Sequence, residues 1–322
     1  LAHLPLLQQP APRRALVICF GVGNTTHAAS LHPLEQLDVA DLDRAILETA
    51  PVFAHANRGV LDDPRVRVIV DDGRHWLAGR PEDTYDLITL EPPPIAQVGV
   101  GALYSVQMLA EARRTLVPGG AISLWLPAYQ VPAPAVRAIV AAFVQVFPAA
   151  TLHVGDGREL VLVGWKGDLP SFDPHRITER LQDRPAVAAD LRALGVEEPL
   201  DLALTFAADV ATLARVGRVA PLDDDRPILE ASQVSHVMET RLPQGLPRPL
   251  TVTTWWPDAM ATPHRARAFQ VLASVLGSPA WRRYSNLADP RSTAAIPEGL
   301  DPAWASTARE HATLRWLTDP TP

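Results

Sequence analysis

Between residues 15 and 165 the chain alternates short apolar runs with segments whose apolar positions lie three and four residues apart. Short apolar runs are typical of buried strands, and the longer spacing is typical of helices packed on a sheet. This alternation predicts an α/β fold with a doubly wound sheet of seven strands. The predicted strands are residues 15–20, 36–40, 66–70, 85–90, 121–126, 152–154 and 159–165.

The spacing also predicts the helices that cover this sheet. They are residues 42–56, 105–116 and 133–147. Gly155, Asp156 and Gly157 separate the last two predicted strands, and such residues are typical of hairpin turns. We therefore expect an antiparallel pair of strands at the sheet edge.

The pattern changes after residue 167. Short amphipathic helices are predicted at residues 177–181, 187–194 and 208–216. Prolines and tryptophans then become frequent, which favours loops. We expect three parts: an α/β domain over residues 1–167, a helical appendage completing the core over 168–240, and a proline- and tryptophan-rich extension over 241–322.

Composition favours a small-molecule partner over nucleic acid. The 322 residues include 29 basic and 36 acidic side chains, for a net charge of −7, and the basic residues are scattered along the chain. A nucleic-acid-binding surface usually appears as a basic patch. We therefore expect no nucleic-acid partner.

Cysteine, histidine and apolar patterns indicate the setting of the protein. Cys19 is the only cysteine, and the histidines lack the spacing of metal ligands, so we expect no internal disulfide, no metal and a cytoplasmic location. No apolar stretch is long enough to span a bilayer. The chain starts at Leu1 without a signal peptide, which favours a fragment of a longer protein.

A glycine-containing loop follows the first predicted strand and runs into a helix. Gly21 and Gly23 would let a ligand approach the backbone at the helix N-terminus. The same glycines also suit a tight turn between strand and helix without any ligand.

Acidic residues follow the second and third predicted strands. Asp41 stands where a carboxylate can accept the ribose hydroxyls of an adenosine, and the adjoining Leu42 is assigned to the same site. Helix capping is the alternative role, and it suits Asp43 at least as well. Asp72 is expected to accept the adenine amino group, with Gly73 keeping the wall of the site thin.

Glu91 begins a loop of three prolines after the fourth predicted strand. Open α/β sheets bind ligands at the carboxyl ends of their strands. Glu91 would there orient an amine or take its proton, and it is the candidate catalytic residue. A capping or salt-bridging role is the alternative.

Several motifs occur in a fixed order along the chain. They are G-x-G at Gly21, D-x-D at Asp41, D-G-R at Asp72, L-E-P-P-P at Leu90 and P-G-G at Pro118. Together they resemble the class I S-adenosylmethionine-dependent methyltransferase fold, and within it the spermidine synthase-like (polyamine aminopropyltransferase) family. L-E-P-P-P, the W-L-P at Trp125 and P-L-D-D-D-R-P-I-L-E over residues 221–230 are similar to membrane-fused members of that family.

The resemblance covers residues 1–230 and implies a Rossmann-like fold that binds S-adenosylmethionine or decarboxylated S-adenosylmethionine. It implies that Gly21 and Gly23 face the amino-acid or aminopropyl arm of the cofactor, Asp41 the ribose and Asp72 the adenine. A homodimer is one assembly consistent with it.

The sequence also departs from the family pattern. Polyamine synthases usually have an aspartate in the glycine loop, where this chain has Val22, and a second aspartate after strand four, where it has Pro94. The family's N-terminal β-hairpin domain does not precede residue 1 of the given chain. Val22 and Pro94 therefore stand where two carboxylates would bind the amine.

Tyr104, Gln107 and Tyr129 follow the fourth and fifth predicted strands, near the expected acceptor pocket. Packing in the core or on the surface is the alternative for each.

The leading hypothesis is therefore a spermidine synthase-like transferase that moves an alkyl group, aminopropyl or methyl, to a small-molecule amine, with poor spermidine synthase activity. The alternatives are a methyltransferase and a catalytically inactive nucleoside-binding domain cut from a larger, membrane-anchored protein.

Overall fold

The computed structural model describes residues 1–93, 99–126, 131, 133–154, 160–197, 199–203, 205–209, 213–214, 217–226 and 228–229. The predicted extension over residues 241–322 lies outside this range, as do Tyr129, Pro94 and the predicted hairpin turn at residues 155–157. No helix among the described residues is long and apolar enough to cross a membrane.

One mixed sheet of eight strands forms the centre of the described part. The strands are β1 (Arg14–Ile18), β2 (Gln36–Asp41), β3 (Val66–Val70), β4 (Tyr85–Leu90), β5 (Leu116–Leu126), β6 (Ala149–Val154), β7 (Leu160–Trp165) and β8 (Phe206–Asp209). Their order across the sheet is β3-β2-β1-β4-β5-β7-β6-β8. The first five are parallel, and β7, β6 and β8 are antiparallel to their neighbours.

Helices cover both faces of the sheet. They are α1 (His3–Gln8), α2 (Asn24–Ser30), α3 (Arg44–Glu48), α4 (Ala54–Asn57), α5 (Gly73–Ala78), α6 (Val106–Thr115), α7 (Ala133–Val146), α8 (Pro174–Asp183), α9 (Pro185–Ala193) and α10 (Pro199–Ala203). The α/β class, the seven predicted strands and the antiparallel pair β6–β7 are confirmed.

Two predicted helices are wrong in part. The prediction over residues 42–56 breaks into α3, a 3-10 turn at Ala50–Phe53 and α4, because Pro51 has no N–H to continue the helical hydrogen bonds. The prediction over residues 208–216 fails at its start, because residues 206–209 pair with β6 as β8. The antiparallel pair therefore does not end the sheet.

The two sheet faces bury separate apolar clusters. Leu16 and Ile18 of β1 point to the face that packs on α6 and α7. Ala15 and Val17 point to the other face, which packs on Leu6 of α1 and on α2. Successive side chains of a strand alternate between faces, so a strand covered by helices on both sides reads as a continuous apolar run.

Helix α1 also joins the sheet to the segment after β7. Leu7 packs in a third cluster with Ile177 of α8 and Leu191 of α9. His3 lies 2.8 Å from the Asp190 carboxylate of α9. The division of the chain at residues 167 and 240 stays a prediction.

A buried charge fastens the edge strand β3 to the sheet. Asp38 of β2 is buried and accepts hydrogen bonds from Nε and Nη2 of Arg67 in β3, at 2.9 and 2.6 Å. The Tyr85 hydroxyl of β4 donates to the same carboxylate at 2.6 Å. A carboxylate removed from water is stable only when it is paired in this way.

Helix α5 begins against β1 with no space for a side chain at its first residue. A Cβ added to Gly73 would lie 2.4 Å from Cγ2 of Ile18, which is buried and branched. Such a contact is too short for carbon atoms, so the helix would have to move.

Gly73→Ala is expected to lower the free energy of unfolding by about 1–3 kcal/mol, the usual range for overpacking a core. Chemical denaturation measures the change. Gly79→Ala is the matched control, because its Cβ would meet nothing closer than 3.6 Å. The double variant Gly73→Ala/Ile18→Ala should recover part of the loss relative to the sum of the two single changes. Equal stability of Gly73→Ala and the parent would contradict the packing.

His153 of β6 makes the stability of the fold depend on pH. Burial lowers the pKa of its ring to about 3, from an ordinary value of 6.5. The unfolded chain therefore binds the extra proton between these values, and the stability from the neutral ring is complete above pH 6.5 and is lost as the pH falls.

His153→Gln is expected to reduce the stability difference between pH 7.5 and pH 5.5 by about 1.4 kcal/mol, because the depressed pKa no longer contributes. Urea denaturation at both pH values measures this difference. The exposed His175 of α8 supplies the control variant His175→Gln. If both variants show the parent's pH dependence, His153 does not titrate as described.

Candidate functional site

The ends of four parallel strands form one row at the carboxyl edge of the sheet. The N–H of Cys19 donates to the Ala40 carbonyl at 2.9 Å. The N–H of Asp71 donates to the Asp41 carbonyl at 3.1 Å. On the other side of β1, the N–H of Glu91 donates to the Ile18 carbonyl at 3.4 Å. The residues predicted after β1 to β4 therefore lie side by side.

The two glycines of the first loop have different surroundings. Both have positive φ angles, +57° at Gly21 and +90° at Gly23, which L side chains rarely adopt. A Cβ at Gly21 would meet nothing within 4 Å, whereas at Gly23 it would lie 2.5 Å from the Phe20 ring and 2.7 Å from Cβ of Asn57. Gly21 leaves open space at the edge, and Gly23 permits close packing at the start of α2.

Asp41 connects the ends of β1 and β2. Its Oδ2 accepts a hydrogen bond from the N–H of Phe20 at 2.8 Å, and its Oδ1 accepts from the N–H of Asp43 at 3.0 Å. Each carboxylate oxygen can accept a further bond. Asp43 caps α3 by accepting a hydrogen bond from the N–H of Ala45, which is the capping role expected for it from the sequence. Leu42 is 72% exposed.

Asp72 caps α5 with one oxygen only. Its Oδ1 accepts from the N–H groups of Arg74 and His75 at 2.7 and 3.2 Å. Its Oδ2 accepts no hydrogen bond from the residues that the structure describes. The neighbouring Asp71 bonds to the His75 ring and raises its pKa.

Glu91 is exposed directly after β4, and a side chain of α2 binds its carboxylate. The Thr25 hydroxyl donates to Oε2 of Glu91 at 2.9 Å. Thr25 was not among the predicted site residues, although it belongs to the predicted loop-to-helix segment.

Three of the predicted carboxylates lie near the Cys19 thiol. Burial, and after it the nearby carboxylates of Asp41, Asp72 and Glu91, together raise the pKa of the Cys19 thiol to about 12. Like charges brought together favour the neutral form of the group between them. Three acidic side chains therefore act on the Cys19 thiol at the carboxyl edge.

The predicted acceptor residues are less closely grouped. Tyr104 is fully buried beside Met108 in the apolar cluster under α6 and α7. The Oε1 of Gln107 accepts from the N–H of Asp224 at 3.2 Å. Within the described ranges, no group of three or more His, Cys, Asp or Glu side chains is arranged to hold a metal ion.

The sequence interpretation missed the contact between α5 and residues 221–226. The Arg74 guanidinium binds the Asp224 carboxylate with two hydrogen bonds, one of 2.9 Å between Nη1 and Oδ1. The D-D-D-R motif was the available signal, but it did not indicate a partner.

Two solved structures resemble the fold. Spermidine synthase from Thermotoga maritima aligns with a TM-score of 0.49 and 21% identity, covering 56% of this chain and 63% of that chain. Human methyltransferase-like protein 13, in complex with SAH, aligns with a TM-score of 0.47 and 19% identity, covering 58% of this chain and 89% of that chain.

The sequence comparisons each cover less than half of the chain. Spermidine synthase 2 of Hyoscyamus niger is 32% identical over 133 residues, which cover 39% of this chain and 42% of that protein. The polyamine aminopropyltransferase of Nitrosomonas europaea is 32% identical over 136 residues, 41% of each chain. The chain thus spans less than half the length of these relatives. A family model described as spermine/spermidine synthase domain matches residues 1–154. Residues 1–154, just under half of the chain, are therefore similar to the spermine/spermidine synthase domain.

Proposed function

We propose that this chain is a spermidine synthase-like transferase that binds S-adenosylmethionine or its decarboxylated form and transfers an alkyl group, aminopropyl or methyl, to an amine. The main support is that backbone hydrogen bonds between neighbouring strand ends bring Asp41, Asp72 and Glu91 to the same carboxyl edge, near Cys19. A sulfonium and a protonated amine are both cationic, so a negative edge would attract each of them.

Asp41 is the proposed ribose ligand. Two backbone N–H groups hold its carboxylate in one orientation and leave a lone pair on each oxygen. A carboxylate fixed in this way would accept two adjacent hydroxyls without having to be ordered on binding.

The other proposed cofactor contacts lie on either side of Asp41. The open space at Gly21 would admit the amino-acid or aminopropyl arm. Oδ2 of Asp72 would accept the adenine amino group, and the exposed Leu42 would offer apolar surface to the base. These residues fit an adenosine with a charged sulfur, and no metal is needed for the proposed binding.

Glu91 is the proposed catalytic base. The bound cofactor would supply a carbon bonded to a sulfonium sulfur. When the amine nitrogen forms the new C–N bond, the C–S bond breaks and the sulfur leaves as a neutral thioether. Glu91 would take the proton that the nitrogen gives up, while Thr25 holds Oε2 and orients the carboxylate. The remaining contribution of the protein would be alignment of donor and acceptor.

The departures from the family pattern bear on the acceptor. Val22 is 39% exposed at the tip of the glycine loop and carries no charge where the family usually has an aspartate. A diamine such as putrescine is dicationic at neutral pH and needs carboxylates for both ends. We therefore propose an amine acceptor with one ammonium group. A catalytically inactive nucleoside-binding domain is the second candidate, favoured by the same loss of charge.

We also propose that the partner is a small amine and not a nucleic acid. The cytoplasmic location and the homodimer stay predictions.

The cofactor proposal is tested by calorimetry with 5′-methylthioadenosine. Asp41→Asn is expected to bind it about ten- to hundredfold more weakly, because a charged acceptor of two hydroxyls is lost. The variant should also lose the parent's preference for this ligand over its 2′-deoxy analogue.

Asp43→Asn is the matched control two residues away, because an asparagine still caps α3. Its affinity should equal that of the parent. No binding by the parent at millimolar ligand, or unchanged binding by a folded Asp41→Asn variant, would overturn the site.

The acceptor proposal is tested with decarboxylated S-adenosylmethionine and two amines of equal length, putrescine and butylamine. Putrescine turnover is expected to stay well below about 1 per second, the lower end of the ordinary enzyme range. Putrescine should also gain no advantage over butylamine, because its second ammonium finds no carboxylate. Mass spectrometry of methylthioadenosine and the alkylated amine gives both rates. Fast and selective use of putrescine would instead identify a spermidine synthase proper.

A further inference from the structure

The segment Pro221–Arg226 crosses the starts of α5 and α6, next to the carboxyl edge of the sheet. The Leu222 carbonyl accepts a hydrogen bond from the N–H of Val106, the first residue of α6, at 2.9 Å. The N–H of Leu222 donates to the Ala138 carbonyl of α7 at 3.0 Å, and the Leu222 side chain is buried in the core. The backbone of the segment is therefore fixed to two helices.

Asp224 connects this fixed segment to α5. Its carboxylate takes both hydrogen bonds from the Arg74 guanidinium, and its N–H donates to Oε1 of Gln107. The side chains of Arg74 and Asp224 are 32% and 29% exposed. A bidentate pair with this burial has defined geometry as well as charge attraction.

Arg74 in turn holds Asp72. The backbone N–H of Arg74 donates to Oδ1 of Asp72 at 2.7 Å. Gly73, the residue between them, packs against Ile18, and α5 contains only six residues. The Arg74 side chain adds a second restraint, from the opposite partner Asp224, at the same turn.

We propose that the Arg74–Asp224 ion pair is a positioning pair, which fixes the start of α5 so that Oδ2 of Asp72 selects an adenine base. This inference rests on the proposed function, because it assigns the base selectivity of the same site. An adenine amino group donates a hydrogen bond to a carboxylate, whereas the O6 of hypoxanthine would face it as a second acceptor. Selectivity between these bases therefore depends on where the carboxylate is held.

The test compares 5′-methylthioadenosine with 5′-methylthioinosine by calorimetry on the full chain. Asp224→Asn is expected to reduce the parent's preference for the adenine ligand about two- to fivefold, the range of a partly exposed ion pair. The charge-swapped variant Arg74→Asp/Asp224→Arg should recover most of the preference. Asp83→Asn is the matched control, since it removes the charge from the Asp83–Lys166 ion pair instead.

Amide hydrogen exchange gives a readout that does not depend on a ligand. Exchange at Arg74 and His75, whose N–H groups Asp72 caps, should be faster in Asp224→Asn and unchanged in Asp83→Asn. Unchanged exchange at these two amides overturns the positioning role. A binding-competent Asp224→Asn variant with the parent's base preference also overturns it and leaves the proposed function standing. A parent chain that binds neither nucleoside would overturn the proposed function, and the base selectivity with it.

Discussion

The parallel hydrogen-bond ladder through β3, β2, β1 and β4 is the constraint on which the site depends. Because these strands run in the same direction and in register, their carboxyl ends stop at one line. Asp41, Asp71 and Glu91 belong to that line through backbone hydrogen bonds to neighbouring strands. Residues that are up to fifty positions apart in the chain are thereby neighbours, and no side-chain contact is needed to bring them together.

Polar contacts centred on the buried Asp38 hold the edge strand β3 to the sheet. Asp38, Arg67 and Tyr85 connect β2, β3 and β4, and the indole of Trp76 in α5 donates to the Tyr85 hydroxyl at 3.0 Å. The network therefore ties α5 to three strands below it. Its members satisfy one another, which is the condition for a polar network inside a core to stabilise rather than weaken a fold.

Acidic side chains are grouped at the carboxyl edge of the sheet. Asp41, Asp72 and Glu91 act together on the Cys19 thiol, and no described ion pair joins them to a basic side chain. By contrast, the carboxylates of Asp63, Asp83 and Asp224 are each paired. Acidic groups held close together repel one another, and a cationic ligand would relieve that repulsion.

The sequence by itself determined the strands and the candidate carboxylates, because a buried parallel strand leaves a local apolar pattern and ends at a definite residue. Residues 66–70 and 85–90 were predicted with their observed bounds. Tertiary structure decided β8, whose residues have a helical pattern but pair with β6 across the sheet edge. It also decided the partner of Arg74, which lies 150 residues away in the chain. Local periodicity reports on neighbours along the chain, whereas these contacts exist only because the sheet and its helices bring distant segments together.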